Sequence, residues 1–400
     1  MSAGPVTAAL QKRWAEVMLG NYGVPPIALA RGEGSWVWDV DGARYLDLLA
    51  GIAVTSLGHA HPAVVEAVSR QVGTLAHTSN LAMHEPGVAL AERLAAMVPA
   101  PARVFLCQDG ATANEAALKI ARKRGNATGR DQIVSTVGGF HGRSAGSLAV
   151  TGTPSKREPF EPLPGGVVFV EYGDVEALTA AIGPRTAAVI LEPVQGESGV
   201  IVPPAGYLAA ARAACDAHGA LLIADEVQSG LGRAGSWLMS VDQGVIPDVI
   251  TLAKGIAAGL PLGAVIATGE ALDVLVPGDH ATTFGGNPVS CAAALAVIGV
   301  IESEGLLEHV TKVGEHWATG FDAIDHPLIA SHRGIGLWRA IELAEPVSGP
   351  LELAARDAGF IINAVRPTTI RLAPPLILTT DEADLFTAAL PALLDAAAPA

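Results

Sequence analysis

The sequence is short of cysteine, of positive charge and of long apolar runs. Cys107, Cys215 and Cys291 are the only cysteines in 400 residues, widely spaced and in apolar settings. That usage fits buried, reduced thiols of a cytosolic protein better than a disulfide framework or a zinc site. Twenty-five lysines and arginines stand against forty acidic residues, a formal net charge of -15. Such a balance argues against nucleic acid or an anionic membrane as partner. Any anionic substrate must then be gripped by local positive charge. No apolar run spans a bilayer uninterrupted, and the first residues, MSAGPVTAALQKRWAEVM, lack a basic start followed by an apolar core. We expect no signal peptide and a cytoplasmic protein. No G-x-G-x-x-G follows a strand and no phosphate-loop G-x-x-x-x-G-K occurs, which disfavours a nicotinamide dehydrogenase. His59, His61, His77 and His84 show no metal-ligand spacing, so no metal is expected.

Half the residues are hydrophobic and only 16% are charged, enough to bury a sizeable core. Four hundred residues exceed one compact core, so a large and a smaller domain are expected. From about residue 100 to 270, apolar runs such as RVFLC, AAVILEPV, ALLIADEV and DVITLA alternate with helical patterns. That alternation predicts an α/β fold with a mostly parallel central sheet covered on both faces. Ligands of such sheets sit beyond the carboxyl ends of the strands. The flanks differ: WVWDVDGARYLDLLAG reads as a hairpin around Asp41-Gly42, and late strands such as GIGLWRAIEL and TTIRLAPPL precede a terminal helix. We expect a large α/β domain at 61–295, and a small α+β domain built from 1–60 and 296–400.

Strand ends are where the chemistry should lie. In VITLAKGIAAGLPLGAV the one charge is Lys254, at the end of an apolar strand and beside small residues. A snorkelling lysine would explain it, and so would a Schiff-base lysine, which needs a partly desolvated amine. LLIADEVQSGLGR ends another strand on Asp225, either a cap or a carboxylate that holds a pyridine nitrogen protonated. FLCQDGATANEAALK places Gly110 and Ala111 at a strand-to-helix junction, where helix amides favour an anion. GGFHGRS offers the Phe140 ring for stacking and the Arg143 fork for a carboxylate. Glu197 in VQGESG and Arg371 in TTIRLAPPL complete the set, and two arginines suit a substrate with two carboxylates. Each of these residues alone is as readily a structural ion pair or cap.

Taken together, DEVQSGLGR, TLAKG, TFGGNP, EPVQGESGV and FHGR closely resemble the class III (subgroup II) pyridoxal-phosphate aminotransferases, from about Asn21 to the end of the chain. NYGVPPIAL, GIAVTSLGHAHPAVVEAV, HTSNL and IRLAPPL are most similar to the branch acting on N-acetylornithine. The resemblance implies the aspartate-aminotransferase-like type I fold and a pyridoxal 5'-phosphate cofactor. It implies that Lys254 binds the cofactor as a Schiff base and later shuttles the proton, with Asp225 at the pyridine nitrogen. Val227 would pack on the ring, Gln228 would lie near its hydroxyl and Phe140 would stack on the other face. Gly110 and Ala111 would bind the phosphate, helped by Thr283 of the neighbouring subunit in a homodimer with shared active sites. Arg143 would take the donor's α-carboxylate, and Arg371 a carboxylate of 2-oxoglutarate or glutamate. Glu197 would neutralise Arg371 while the acetylated side chain is bound, so that one site serves both halves of a ping-pong cycle in arginine biosynthesis.

Two positions depart from the family pattern. Gln108-Asp109-Gly110-Ala111-Thr112 stands where Asn-Ser-Gly-Ala-Glu is usual. An ionised Asp109 near the phosphate would repel it by roughly 4 kcal/mol per charge pair, at ~4 Å and an effective dielectric of ~20. Alternatively it caps the helix with its carboxylate turned away. Weaker cofactor binding than in relatives is therefore expected. Ala82 follows SNL where a tyrosine is frequent, which predicts a wider or less polar substrate pocket. Two alternatives follow: a class III ω-aminotransferase acting on ornithine, succinylornithine, 4-aminobutyrate or a polyamine, and a degenerate, non-catalytic homologue. Retention of Arg143 and Glu197 favours an α-amino-acid donor over an amine without a carboxylate.

Overall fold

The apolar runs in the middle of the chain are strands in the computed structural model, which describes residues 4–398. Seven of them form one sheet, in the order Ala102–Cys107, Gly263–Thr268, Val249–Leu252, Leu221–Asp225, Thr186–Leu191, Gln132–Thr136, Val167–Val170. Six run in one direction, and Gly263–Thr268 is antiparallel to both of its neighbours. Connection length explains the exception. Only residues 253–262 join Val249–Leu252 to Gly263–Thr268, fewer than the dozen or so that a parallel crossover needs.

Thr186–Leu191, Leu221–Asp225, Val249–Leu252 and Gly263–Thr268 are buried at every residue. Both faces of the sheet are therefore covered. Alternation along the strands divides them: Ile190 and Ile223 pack under the helix Gly110–Thr128, with its Ala113, Ala117 and Ile120. Val189, Leu191 and Leu222 pack on the opposite face against Leu208, Ala211 and Cys215 of the helix Tyr207–His218. Cys107, Cys215 and Cys291 are all buried and unpaired with one another. Burial pushes each thiol up to about 12, which keeps it protonated and unreactive.

The two ends of the chain meet in strand pairing. Leu29–Glu33, Trp36–Asp39 and Arg44–Asp47 form a meander whose last strand pairs in parallel with Phe360–Ile361. Asp39 accepts from the amides of Asp41 and Ala43, closing the expected hairpin turn. Trp36 Nε1 donates to Glu382 Oε1 at 2.8 Å, a second tie between the ends. GIGLWRAIEL is not one strand: it turns at Gly336 (φ 53°) between Ile329–Ile335 and Trp338–Leu343. These two strands form another antiparallel sheet with Thr369–Leu372 and Asn363–Arg366. A continuous core containing Leu46, Ile250, Val297, Trp317 and Phe386 joins this part to the central sheet. Among the described residues, no single helix is long and apolar enough to cross a membrane.

Candidate active site

The carboxyl ends of five parallel strands open onto one cavity of about 460 Å³. Gln108 to Ala111 follow Cys107; Phe140 to Arg143 lie beyond Thr136; Glu192 follows Leu191; Asp225 ends its own strand; Lys254 lies two residues past Leu252. Gly110, Ala111, Phe140, Asp225, Val227, Gln228 and Lys254 all line the cavity, as does Arg143. Strand-end residues up to 146 positions apart in sequence (254 − 108) thus converge because every strand that carries one points the same way.

Lys254 has φ 45°, a left-handed conformation that a side chain adopts at a cost of about 1–3 kcal/mol and that clusters at functional sites. Burial pulls its amine below the ordinary lysine value, and the nearby Arg371 guanidinium adds to this, against Glu197, Glu192 and Asp225. An amine held this way is more readily neutral, which is what a nucleophile or proton carrier needs. Gly110 is dictated by contact: a Cβ there would lie 2.8 Å from Val227 Cγ1. The helix Gly110–Thr128 is capped by Asp109, whose Oδ1 accepts from the Thr112 amide at 2.7 Å. Asp109 Oδ2 accepts from Thr112 Oγ1 at 3.1 Å. Capping thus occupies both oxygens, and the Gly110 and Ala111 amides have no acceptor within the helix. Asp109 is solvent-exposed, so the repulsion expected of it is screened toward the ~1 kcal/mol of two charges 4 Å apart in water.

Asp225 sits in a buried network. Its Oδ2 accepts from His141 Nδ1 and from Asn114 Nδ2, both at 2.7 Å, and its Oδ1 from the Val227 amide at 3.1 Å. Asn114 Oδ1 in turn accepts from Thr251 Oγ1 at 2.8 Å, and the His141 amide donates to Thr151 Oγ1 at 3.0 Å. Burial pulls His141 down, but the hydrogen bond and charge of Asp225 outweigh it and raise the imidazole above its ordinary value. Glu192, also buried, accepts from the Phe140 amide at 2.8 Å. Its burial pushes the carboxyl up to about 7, with His141 pulling the other way. His141, Asn114 and Glu192 were not among the residues expected from the sequence. Glu192 had a usable signal, since it ends the apolar run AAVIL just as Asp225 ends LLIA.

Arg371 and Glu197 stand beside the cavity without lining it. Arg371 is 2% exposed; its Nη1 donates to Glu197 Oε1 at 2.7 Å and its Nη2 to Asn363 Oδ1 at 2.8 Å. Both act electrostatically on Lys254, so the pair belongs to the same site. Despite burial, which raises it, Glu197 is held below the ordinary carboxylate value by Arg371 and Lys156. Arg143 is exposed, its guanidinium 5.7 Å from the Phe140 ring. Thr283 is exposed and does not line the cavity of its own chain. Ala82 lies on an exposed stretch with Leu81 and Met83 and lines a second, surface cavity with His280 and Thr282.

Pyridoxal phosphate fits this constellation. The cavity offers a desolvated amine, a carboxylate on a neighbouring strand end, a helix N-terminus for a phosphate, and an aromatic ring. Gln228 Nε2 is buried beside them with no hydrogen-bond partner among the described residues, a donor prepared for a polar atom of a ligand. Fold and site together define a pyridoxal-phosphate-dependent transferase of the type I architecture.

Comparison with known proteins places it further. The model of the family "Aminotransferase class-III" matches residues 18–394, and the chain belongs to that family. It is 55% identical to the acetylornithine aminotransferase of Mycobacterium tuberculosis, over 99% of this chain and 98% of that one. To the acetylornithine aminotransferase of Streptomyces coelicolor it is 54% identical, over 97% and 96%. Among solved structures, the ornithine aminotransferase of Toxoplasma gondii superposes with a TM-score of 0.92 at 32% identity, covering 98% of this chain and 95% of that one. An (S)-enantioselective omega-transaminase from Thermomicrobium roseum gives 0.92 at 32% identity, covering 98% and 99%.

Proposed function

We propose that this chain transfers the distal amino group of N-acetylornithine to 2-oxoglutarate, giving N-acetylglutamate 5-semialdehyde and glutamate, in arginine biosynthesis. The observation that carries the reading is the ion pair between buried Arg371 and Glu197 next to Lys254. A guanidinium with its charge cancelled by a side chain of the same protein can face a neutral acetylated chain. Freed of that partner, it can bind a carboxylate. The acetylornithine aminotransferases to which the chain is more than half identical support this donor.

When bound, pyridoxal phosphate supplies the electron sink that allows an amino group and a carbonyl to be exchanged. Lys254 Nζ would take the proton from the carbon bearing the amino group and return it, as its lowered basicity permits. Asp225 would hold a proton at the ring nitrogen, with its own orientation fixed by His141 and Asn114. Gln228 Nε2 would donate to the ring hydroxyl, and Val227 and Phe140 would bracket the ring. The Gly110 and Ala111 amides would hold the phosphate, with Thr283 of a second copy in a homodimer. Arg143 would grip the donor's α-carboxylate. Residues 61–295 form the cofactor domain in this reading, both chain ends the smaller one, and the enzyme works in the cytoplasm.

The test is the visible absorbance of the purified protein with pyridoxal phosphate, before and after N-acetylornithine. A cofactor band bleached by this donor is the expected result. A band bleached only by an amine without an α-carboxylate would retain the aminotransferase and overturn the donor.

A further inference from the structure

Glu197 is shared between two cations, and only one of them has a role so far. While Arg371 Nη1 holds Oε1 at 2.7 Å, Lys156 Nζ lies 3.5 Å from Oε2. Lys156 belongs to the short helix Pro154–Arg157, and its ammonium stands 4.9 Å from the centre of the Phe140 ring. The two cations are unlike. The Arg371 side chain is 2% exposed, fixed by Asn363, and has a buried Nε without a partner among the described residues. The Lys156 side chain is 25% exposed, on a flexible four-carbon stem, with an ammonium that can follow a moving carboxylate.

If a substrate carboxylate replaces Glu197 on Arg371, the displaced side chain must go somewhere. Glu197 is itself only 24% exposed, and a carboxylate deprived of its guanidinium in such surroundings is destabilised unless another cation meets it. Lys156 already touches the oxygen that Arg371 does not hold. We propose that Lys156 is a positioning residue for the exchange of substrates: it receives Glu197 when an acidic substrate takes that carboxylate's place on Arg371. Lys156 thereby favours the dicarboxylate half of the cycle without itself binding the substrate. This inference rests on the Arg371–Glu197 reading above and names the group that makes the displacement affordable.

The experiment is calorimetric titration of glutarate, a dicarboxylate without a reactive carbonyl, into the pyridoxal-phosphate-loaded protein. Lys156→Met should weaken glutarate binding by about three- to fivefold, the upper scale of a partly exposed ion pair, and Lys156→Arg should recover most of the loss. Glu197→Gln should tighten binding, because no charged competitor is left on Arg371. In the Glu197→Gln background, Lys156→Met should then change affinity less than about twofold. A Lys156→Met protein that binds glutarate as wild type does overturns the proposal. So does a full loss that persists in the Glu197→Gln background, since Lys156 would then be holding the ligand itself. If Glu197→Gln does not tighten glutarate binding, the Arg371–Glu197 reading fails first and the role of Lys156 falls with it.

Discussion

The floor of the cavity and its side hold their charges in opposite ways. On the floor, Asp225 has three hydrogen-bond donors from three separate elements, and its partners His141 and Asn114 are themselves buried and held. At the side, Glu197 divides its two oxygens between Arg371 and Lys156, and both Glu197 and Lys156 remain about a quarter exposed. A group whose partners are all committed keeps one position and one charge through a reaction cycle. A group with two competing partners and some solvent contact can change position at small cost. The floor suits a fixed task at the cofactor, the side a task that changes with the substrate.

The largest test of this contrast removes the reacting amine. Lys254→Ala should lower transamination by about 10²–10⁴-fold or more, the usual contribution of a positioned acid–base group. A cofactor band characteristic of the lysine adduct that persists in this variant would refute the assignment of Lys254. Next in size is the floor network. His141→Ala withdraws one of two donors from a buried carboxylate oxygen, which typically costs ~3 kcal/mol, here an apparent Tm about 3–4 °C lower for the cofactor-free protein. Lys156→Met, at the side, should lower stability by less than ~1 kcal/mol. Equal shifts for the two variants would erase the distinction between floor and side.

A smaller effect concerns pH. Glu192 titrates near 7 in the folded chain but near 4.5 when free, so between those values the folded state binds the extra proton. Stability of the cofactor-free protein contributed by this group is therefore present below about pH 4.5 and is lost as pH rises through about 7. His141, raised above its ordinary value despite its burial, mainly by Asp225, acts in the same direction. In Glu192→Gln the fall in Tm from about pH 5 to 8 should become shallower; an unchanged slope would show that Glu192 does not carry that proton. The smallest effect is expected at Asp109. With its carboxylate spent on the helix cap and exposed, Asp109→Ser should tighten pyridoxal phosphate by no more than about three- to tenfold. A far larger gain would mean that the carboxylate faces the phosphate after all.

Much of this was legible in the linear sequence. Buried strands must be apolar, so a lone Lys254 or Asp225 at the end of such a run is conspicuous, and Gly110 marks a close approach of backbone to the Val227 side chain. The hairpin at Asp41-Gly42 and the parallel core could be read from local pattern in the same way. Glu192 carries the same signal as Asp225, an acidic residue directly after an apolar strand. His141 and Asn114 are not legible in this way, because a polar residue inside a helix or loop gives no sign of its distant partner: Asn114 meets Asp225 across 111 positions.

What the sequence alone determined, then, is the set of residue types at strand ends and the alternation that makes those strands a sheet, because burial acts on each segment locally. Tertiary structure decided which of them share a charge. The joining of the chain ends at Leu46 and Phe360 and the contest of Arg371 and Lys156 for Glu197 depend on distances between segments far apart in the chain. Electrostatic coupling weakens with distance, is screened over about 10 Å in salt water and depends on how much water is excluded, so its strength is set only once packing has fixed both.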